Sequence, residues 1–402
     1  MKKHNCGFGF IVILLCAFFA AQHISCSSTS GVTFNPQLAK QLKQSLDRSI
    51  EELEIPGAVM AVRVPDGSTW VGVSGYAVVP QGSADSLKAV SGGEAMSVDR
   101  FFRIASVTKS FTATIILELV DEGKLALDDT IDEIMARWFT PGYFDFTIPY
   151  SDKITLRNIL EMRSGMVEYG STKEFNDLLA TNPLKKLTPV DIMRMSALST
   201  DPAPYAPDTK MQYCNTNFTL QGIIIEQVTK NRYEDEIKNR LLTPLGMTHT
   251  WAAEGNLMPA PYAHGYLFDE GQLKDVSEAM DASFTWGGGS IISTGPDMIV
   301  WVKALEDGKF LSEATQKERM TMKEGVIEGW PVSYGLGIYN DNGAVGHYGN
   351  YVNYYTAYCM RYKGYDFAVL ENGELKEHHE EGRHPARSIF WNAVRDIGLL
   401  TE

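Results

Sequence analysis

The sequence predicts an α/β (α+β) fold: an antiparallel sheet assembled from both ends of the chain, flanked by N- and C-terminal helices, with an all-helical region inserted between. Three observations carry this prediction. The early chain reads as a helix followed by a hairpin, the middle is helical in period, and alternating β-rich runs return before a last amphipathic helix.

Taken in order, Leu38, Leu42, Leu46, Ile50 and Leu53 recur every three or four residues, which marks an amphipathic helix. "GAVMAVRVPDGSTWVGVSGYA" then gives two β-rich runs around Pro65-Asp66-Gly67, a turn signal. From Phe111 to Arg240 the pattern is mostly helical, broken by Pro141, Pro149, Pro183 and Pro189, with "LRNILEMRSG" and "FTLQGIIIEQVTK" the clearest helices. Strand patterns reappear in "SYGLGIYND", "GAVGHYGNYVNYYTAYCMRY" and "YDFAVLEN", and Ser388 to Leu399 closes the chain as a helix. A groove is expected where sheet and helical insert meet, because ligand sites favour such interfaces.

The first residues place two lysines before an apolar stretch from Gly7 to Ala21, shorter than the ~20 residues of a spanning helix and typical of a signal peptide. "HISC" resembles the lipobox of bacterial lipoproteins, which implies Cys26 as a lipid-bearing residue, although His23 stands where that pattern usually has leucine. "SSTSG" suits a flexible tether. The expected organisation is residues 1–25 as signal peptide, 26–34 as tether, 35–120 with 285–402 as the sheet domain, and 121–284 as a mainly helical domain. The expected location is the periplasm or cell envelope, with contact to the membrane through the Cys26 lipid.

At 402 residues, 44% hydrophobic and 21% charged, the composition is that of a globular protein of about two domains. A net charge of -14 argues against a phosphate-binding surface, so nucleic acid is set aside. Of five cysteines, Cys6 and Cys16 fall in the leader and Cys26 is the proposed anchor. Cys214 and Cys359 remain, too few for a disulfide framework or zinc cluster, and the sequence leaves open whether they pair.

Chemistry is suggested by three short stretches. Ser106 and Lys109, in "SVTK", form the one serine-x-x-lysine in the chain. On a helix they share a face one turn apart, so the ammonium can reach the hydroxyl, and the partial positive charge of a first turn favours an anion on Ser106. In isolation the simpler reading of the pair is a cap and a surface lysine. In "YCN", Tyr213 and Asn215 point to one side of an extended segment, so the phenol and the amide can face one groove. A phenol near Lys109 would be a credible base. A satisfied core tyrosine and a helix-capping asparagine fit the same residues. In "HYGN", Gly349 permits close approach to a strand, so that a substrate can lie along the edge with its carbonyl oxygen against the N–H groups of Ser106 and Asn350. A hairpin glycine beside a chance histidine, His347, is the simpler alternative.

Together, and in this order, "SVTK", "YCN" and "HYG" resemble the motifs of the secreted D-alanyl-D-alanine carboxypeptidases and class C β-lactamases. The similarity runs through "EIPGAVMAV", "ITLRNILEMRSG", "LLTPLGMTHTW", "WGGGSIIST" and "YGLGI". The resemblance implies the β-lactamase/transpeptidase-like fold and an acyl-enzyme with Ser106 as nucleophile, Lys109 as activating charge and Tyr213 as proton shuttle. It further implies Asn215 as a binder of the substrate's acyl-side amide, His347 as positive or donor character beside Tyr213, the N–H groups of Ser106 and Asn350 as the oxyanion hole, and Gly349 as part of the substrate-binding strand. No metal or organic cofactor enters this scheme.

One departure bears on substrate. Tyr348 stands where the family often has threonine or serine, whose hydroxyl helps bind a free carboxylate, and Asn350 follows the motif where threonine or serine is common. "YGLGIYNDNGAV" also lacks the arginine that some carboxypeptidases carry there. The leading expectation is a D-alanyl-D-alanine carboxypeptidase acting on cell-wall peptides. Esterase, D-amino-acid amidase and β-lactamase activities on small peptides, esters or β-lactams are the alternatives, and a non-catalytic penicillin- or peptidoglycan-sensing protein is a further one. "KEHHEEGRHPAR", with His378, His379, Glu380 and His384, reads as a solvated loop. The tyrosines at 351, 354, 355 and 358 read mainly as sheet packing, with Tyr348 and Tyr351 toward the pocket. Trp286 with Gly287, Gly288 and Gly289 reads as a groove wall or a bare turn.

Overall fold

The structure is a computed structural model that describes residues 33–80, 92–269, 272–327, 330–373 and 384–400. The leader, Cys26, most of the tether, and His378, His379 and Glu380 lie outside the described residues. Among the described residues no helix is long and apolar enough to cross a membrane.

Helix α1, Pro36–Leu53, begins where Asn35 accepts hydrogen bonds from the Gln37 and Leu38 N–H groups and Pro36 fills the first turn, a position that needs no donor. Its buried stripe of Leu42, Leu46 and Ile50 is the one expected from spacing.

Among the described residues the main sheet contains nine strands, here numbered in chain order: β1 Gly57–Arg63, β2 Thr69–Val78, β3 Glu94–Ala95, β4 Lys323–Ile327, β5 Trp330–Tyr334, β6 Tyr339–Asp341, β7 Ala344–Asn350, β8 Thr356–Tyr362 and β9 Tyr365–Glu371. Their spatial order is β3-β2-β1-β9-β8-β7-β6-β5-β4, so both ends of the chain meet at the centre, where β1 pairs antiparallel with β9 and Val59 faces Leu370. All residues from Gly57 to Val62 are buried, because helices cover both faces at this point. Helix α5, Pro385–Asp396, packs with α1 and lays Phe390 against Tyr358 and Phe367.

Two helices of the interior link sheet to insert. In α2, Thr108–Asp121, and α3, Thr216–Thr229, all positions from the first to the tenth are buried, so neither helix is amphipathic over this stretch. They pack on each other, and helix α4, Gly295–Glu306, enters beside β1 with Gly295 against Val59. Trp301 of α4 stacks on Phe111 of α2 at 3.7 Å between ring centroids. The 121–284 segment also carries short strands, Trp251–Ala252, Tyr266–Asp269 and Gln272–Asp275, whose two- to four-residue lengths give too little alternation to detect.

Candidate active site

Ser106 lies on a single 3-10 turn, Ala105–Val107, that leads into α2. The preceding Ala105 has φ +47°, a left-handed conformation that costs an L-residue about 1–2 kcal/mol. That kink turns a two-residue strand, Phe102–Arg103, abruptly into a helix and leaves the serine side chain at the corner. Gly349 of β7 is what lets the corner close: a Cβ there would sit 2.2 Å from the Ile104 carbonyl oxygen and 2.9 Å from the Ser106 nitrogen.

Lys109 is wholly buried and donates from Nζ to Ser106 Oγ at 2.8 Å and to the Gly288 carbonyl at 2.8 Å. Its ammonium lies 5.0 Å from the Tyr213 ring centroid and 5.4 Å from that of Phe218, where ring faces favour a desolvated cation. The first and second motifs therefore meet in space.

Asn215 opens α3, and its backbone N–H and Nδ2 both donate to the carboxylate of Glu168, Nδ2 at 3.1 Å. Donation to a carboxylate requires the amide nitrogen on that side, which turns Oδ1 the other way. Gly288 lies beside both groups: a Cβ built on it would be 3.8 Å from this oxygen and 3.4 Å from Lys109 Nζ, in ordinary contact with each.

Just past β7, Tyr351 N–H bonds back to the Tyr355 carbonyl at 2.8 Å, and antiparallel alternation turns the neighbouring Asn350 N–H away from β8. Strand β6 covers β7 only over Ala344–Gly346, so the following edge is open to the groove. The Asn350 side chain is tied to Asn353 by two 2.8 Å hydrogen bonds, which fix the loop at that edge.

His347 departs from the expected role. It is 1% exposed, and its Nδ1 lies 2.6 Å from the Tyr348 carbonyl, which can only accept; Nδ1 therefore carries the proton and Nε2, 3.0 Å from Tyr334 Oη, accepts. Burial, followed by the nearby Lys109 charge, pushes its pKa down to about 3. The ring is neutral with both nitrogens engaged, so it brings neither positive charge nor a spare N–H to the groove. The expected consequence concerns stability. Since the unfolded ring takes a proton near pH 6.5 and the folded one does not, unfolding becomes easier, by roughly 1 kcal/mol per pH unit, as the pH falls from about 6.5 toward about 3. Chemical denaturation of wild type and His347→Gln across this range measures the slope, and equal slopes would count against it.

The groove holds about 300 Å³ and is bordered by Ser106, Glu168, Tyr213, Asn215, Gly288 and Asn350, with Tyr169, Phe175, Phe284 and Tyr351 as an aromatic wall. Among the described residues that line it, Glu168 alone carries a charged side chain. Tyr348 also borders it, with its ring packed on Tyr339 at 5.4 Å and His384 at 5.0 Å. Tyr351 joins the groove and packs on Phe284, while Tyr354, Tyr355 and Tyr358 are 1% exposed or less. Of Trp286–Gly289, a single helical turn, Gly288 and Gly289 wall the groove, and the Gly288 carbonyl in addition holds Lys109. Cys214 and Cys359 are separate buried thiols. No group of three or more potential metal-ligating side chains occurs among the described residues. Sequence reasoning missed Glu168 and the Gly288 carbonyl, because each reaches its partner from a distant segment with no motif of its own.

The beta-lactamase family profile matches residues 39–384. Penicillin-binding protein 4* of Bacillus subtilis is 28% identical over 280 residues, 65% of this chain and 58% of the relative. Penicillin-binding protein 4 of Amycolatopsis lactamdurans is 25% identical over 321 residues, 76% of this chain and 77% of the relative. The chain thus spans little more than half the length of the Bacillus relative. Among solved structures, the D-amino acid amidase of Ochrobactrum anthropi complexed with L-phenylalanine amide superposes with a TM-score of 0.73 at 25% identity, covering 90% of this chain and 98% of that one. A D-stereospecific amidohydrolase from Streptomyces gives the same TM-score at 24% identity over 90% and 99% of the two chains, which speaks to the fold. With an antiparallel sheet, helical insert and serine-x-x-lysine corner arranged in this way, the chain belongs to the beta-lactamase family.

Proposed function

We propose that this protein is an acyl-enzyme hydrolase that cleaves amides, short peptides or esters of D-amino acids whose α-amino group is free. In this reading Ser106 Oγ attacks the substrate carbonyl as Lys109 and Tyr213 draw off its proton, and the N–H groups of Ser106 and Asn350 hold the developing oxyanion. Collapse breaks the bond to the leaving group, which takes the proton, and water then attacks the ester on Ser106 to release the acid. Asn215 Oδ1 receives a donor from the acyl part.

The observation that carries this substrate class is Glu168. A groove whose charged lining residue is a carboxylate favours an ammonium and disfavours a free carboxylate, which would also meet no hydroxyl at Tyr348. The amidase neighbour complexed with L-phenylalanine amide agrees with such a substrate, as does the aromatic wall. The carboxypeptidase reading is the second one, favoured by the penicillin-binding proteins among the relatives. Export and a lipid on Cys26 belong to the same proposal, supported by the leader and by "HISC".

A panel of D-phenylalanine amide, its N-acetyl derivative, its L-enantiomer and a D-alanyl-D-alanine peptide tests the assignment. The free-amine D-amide is the expected best substrate, and Glu168→Gln is expected to raise its KM by about 10-fold or more, the worth of a charge-assisted hydrogen bond. An equal loss on the N-acetyl amide would mean that Glu168 only holds Asn215. Preference for the D-alanyl-D-alanine peptide would replace this reading with the carboxypeptidase one.

A further inference from the structure

Lys109 is oriented by a carbonyl, and that carbonyl belongs to a turn with unusual support. Trp286 opens it with φ +22°, outside the ordinary range for an L-residue, and three glycines follow. The turn is threaded between α2 and α3: a Cβ on Gly287 would lie 2.5 Å from the Phe218 carbonyl. Glycines give such a turn no side-chain anchors, so its position must be imposed from outside.

Two hydrogen-bonded routes impose it. On one side, Thr112 Oγ1 donates to the Gly287 carbonyl at 2.6 Å, leaving Tyr233 Oη to donate to Thr112 Oγ1 at 2.8 Å. On the other, the Trp286 indole N–H donates to Glu234 Oε1 at 3.0 Å. The indole is 8% exposed and wedged against Gly222, where a Cβ would come within 2.7 Å of the ring, and against Tyr233 at 5.1 Å. Glu234 is itself braced by Arg232 Nη2 at 3.0 Å.

Resting on the acyl-enzyme reading above, we infer that Glu234 and Trp286 are positioning residues: the carboxylate–indole hydrogen bond holds the glycine turn so that the Gly288 carbonyl keeps Lys109 on Ser106. Neither residue lines the groove or touches the reacting atoms. They set the place of a carbonyl whose loss of register removes one of the contacts that aim the ammonium.

Three variants separate positioning from bulk stability. Glu234→Leu removes the acceptor, Trp286→Phe removes the donor but keeps a ring, and Glu234→Gln keeps an acceptor without the charge. The probe is a fluorophosphonate, which reports Ser106 nucleophilicity regardless of substrate class. Labelling is expected to slow about 10-fold in Glu234→Leu and Trp286→Phe, to shift in pH dependence in both, and to stay within about 3-fold of wild type in Glu234→Gln. A crystal structure of Glu234→Leu gives the second readout, with a displaced Gly288 carbonyl and a lengthened Lys109 Nζ–Ser106 Oγ distance expected. Wild-type labelling in the folded Glu234→Leu protein, or an unchanged 2.8 Å contact, overturns the inference. Should wild type take the probe yet hydrolyse no D-amino-acid amide, the substrate assignment fails while the positioning role stands. Should wild type refuse the probe, the acyl-enzyme reading fails, and the crystal structure still decides whether the tether sets Lys109.

Discussion

Lys109→Met is expected to slow acylation of Ser106 by about 10³-fold while leaving the protein as stable as its parent or more so. The rate follows from losing the charge 2.8 Å from Ser106 Oγ, since a positioned acid–base group is worth about 10²–10⁴. Stability moves the other way because Lys109 is wholly buried, and replacing a buried charge by an apolar chain of similar length removes a desolvation cost. The Gly288 carbonyl loses its donor, which offsets about 1–3 kcal/mol of that gain. Burst kinetics on an activated ester together with urea denaturation measure both quantities. A variant that loses rate and several kcal/mol of stability together would show Lys109 to be a structural cation instead.

The second large effect lies far from the groove. Asp341 of β6 is 2% exposed and accepts from Arg387 Nε at 2.6 Å and Nη2 at 3.0 Å, from Tyr358 Oη at 2.5 Å, and from the Trp391 indole at 3.2 Å. It thereby ties α5 to the sheet. Asp341→Ala leaves Arg387 without its carboxylate and two further donors unsatisfied, and the expected loss is about 3–5 kcal/mol. Burial opposes the charge on Asp341, but Arg387 and the hydroxyl of Tyr358 outweigh it and hold the carboxyl below its usual range. The folded value is depressed, so this contribution is complete above the unfolded pKa of about 3.9 and disappears as the pH falls through the folded value. Thermal melts of both proteins should converge toward strongly acid pH. A melting temperature for Asp341→Ala equal to wild type at pH 7 would contradict the account.

Much of this was legible in the sequence, for identifiable reasons. Helix α1 was readable because Leu42, Leu46 and Ile50 sit on one stripe, and the β1–β2 hairpin because Pro65-Asp66-Gly67 punctuates two apolar runs. The return of the late strands to the centre followed from the return of alternation. The meeting of Ser106, Lys109 and the ring of Tyr213 was anticipated through motif order, since residue spacing alone cannot bring position 213 to position 109. The ionisation of His347 depends on enclosure by Tyr334 and Tyr339, which no local pattern encodes. Glu168 and Glu234 sit in no motif that the sequence offers, because a carboxylate acquires meaning from the donor across from it.

The adjacency of β1 and β9 has a consequence for biosynthesis. At roughly 5–20 residues per second, a nascent β1–β2 hairpin waits for nearly the whole polypeptide to leave the ribosome before Val59 finds Leu370. A prematurely terminated chain would still contain Ser106, Lys109, Tyr213 and Asn215, yet its hairpin would expose an unpaired edge that other chains can join. The centre of the sheet therefore closes only with the last strand, so an intact carboxyl-terminal third is a condition for folding the segment that bears Ser106.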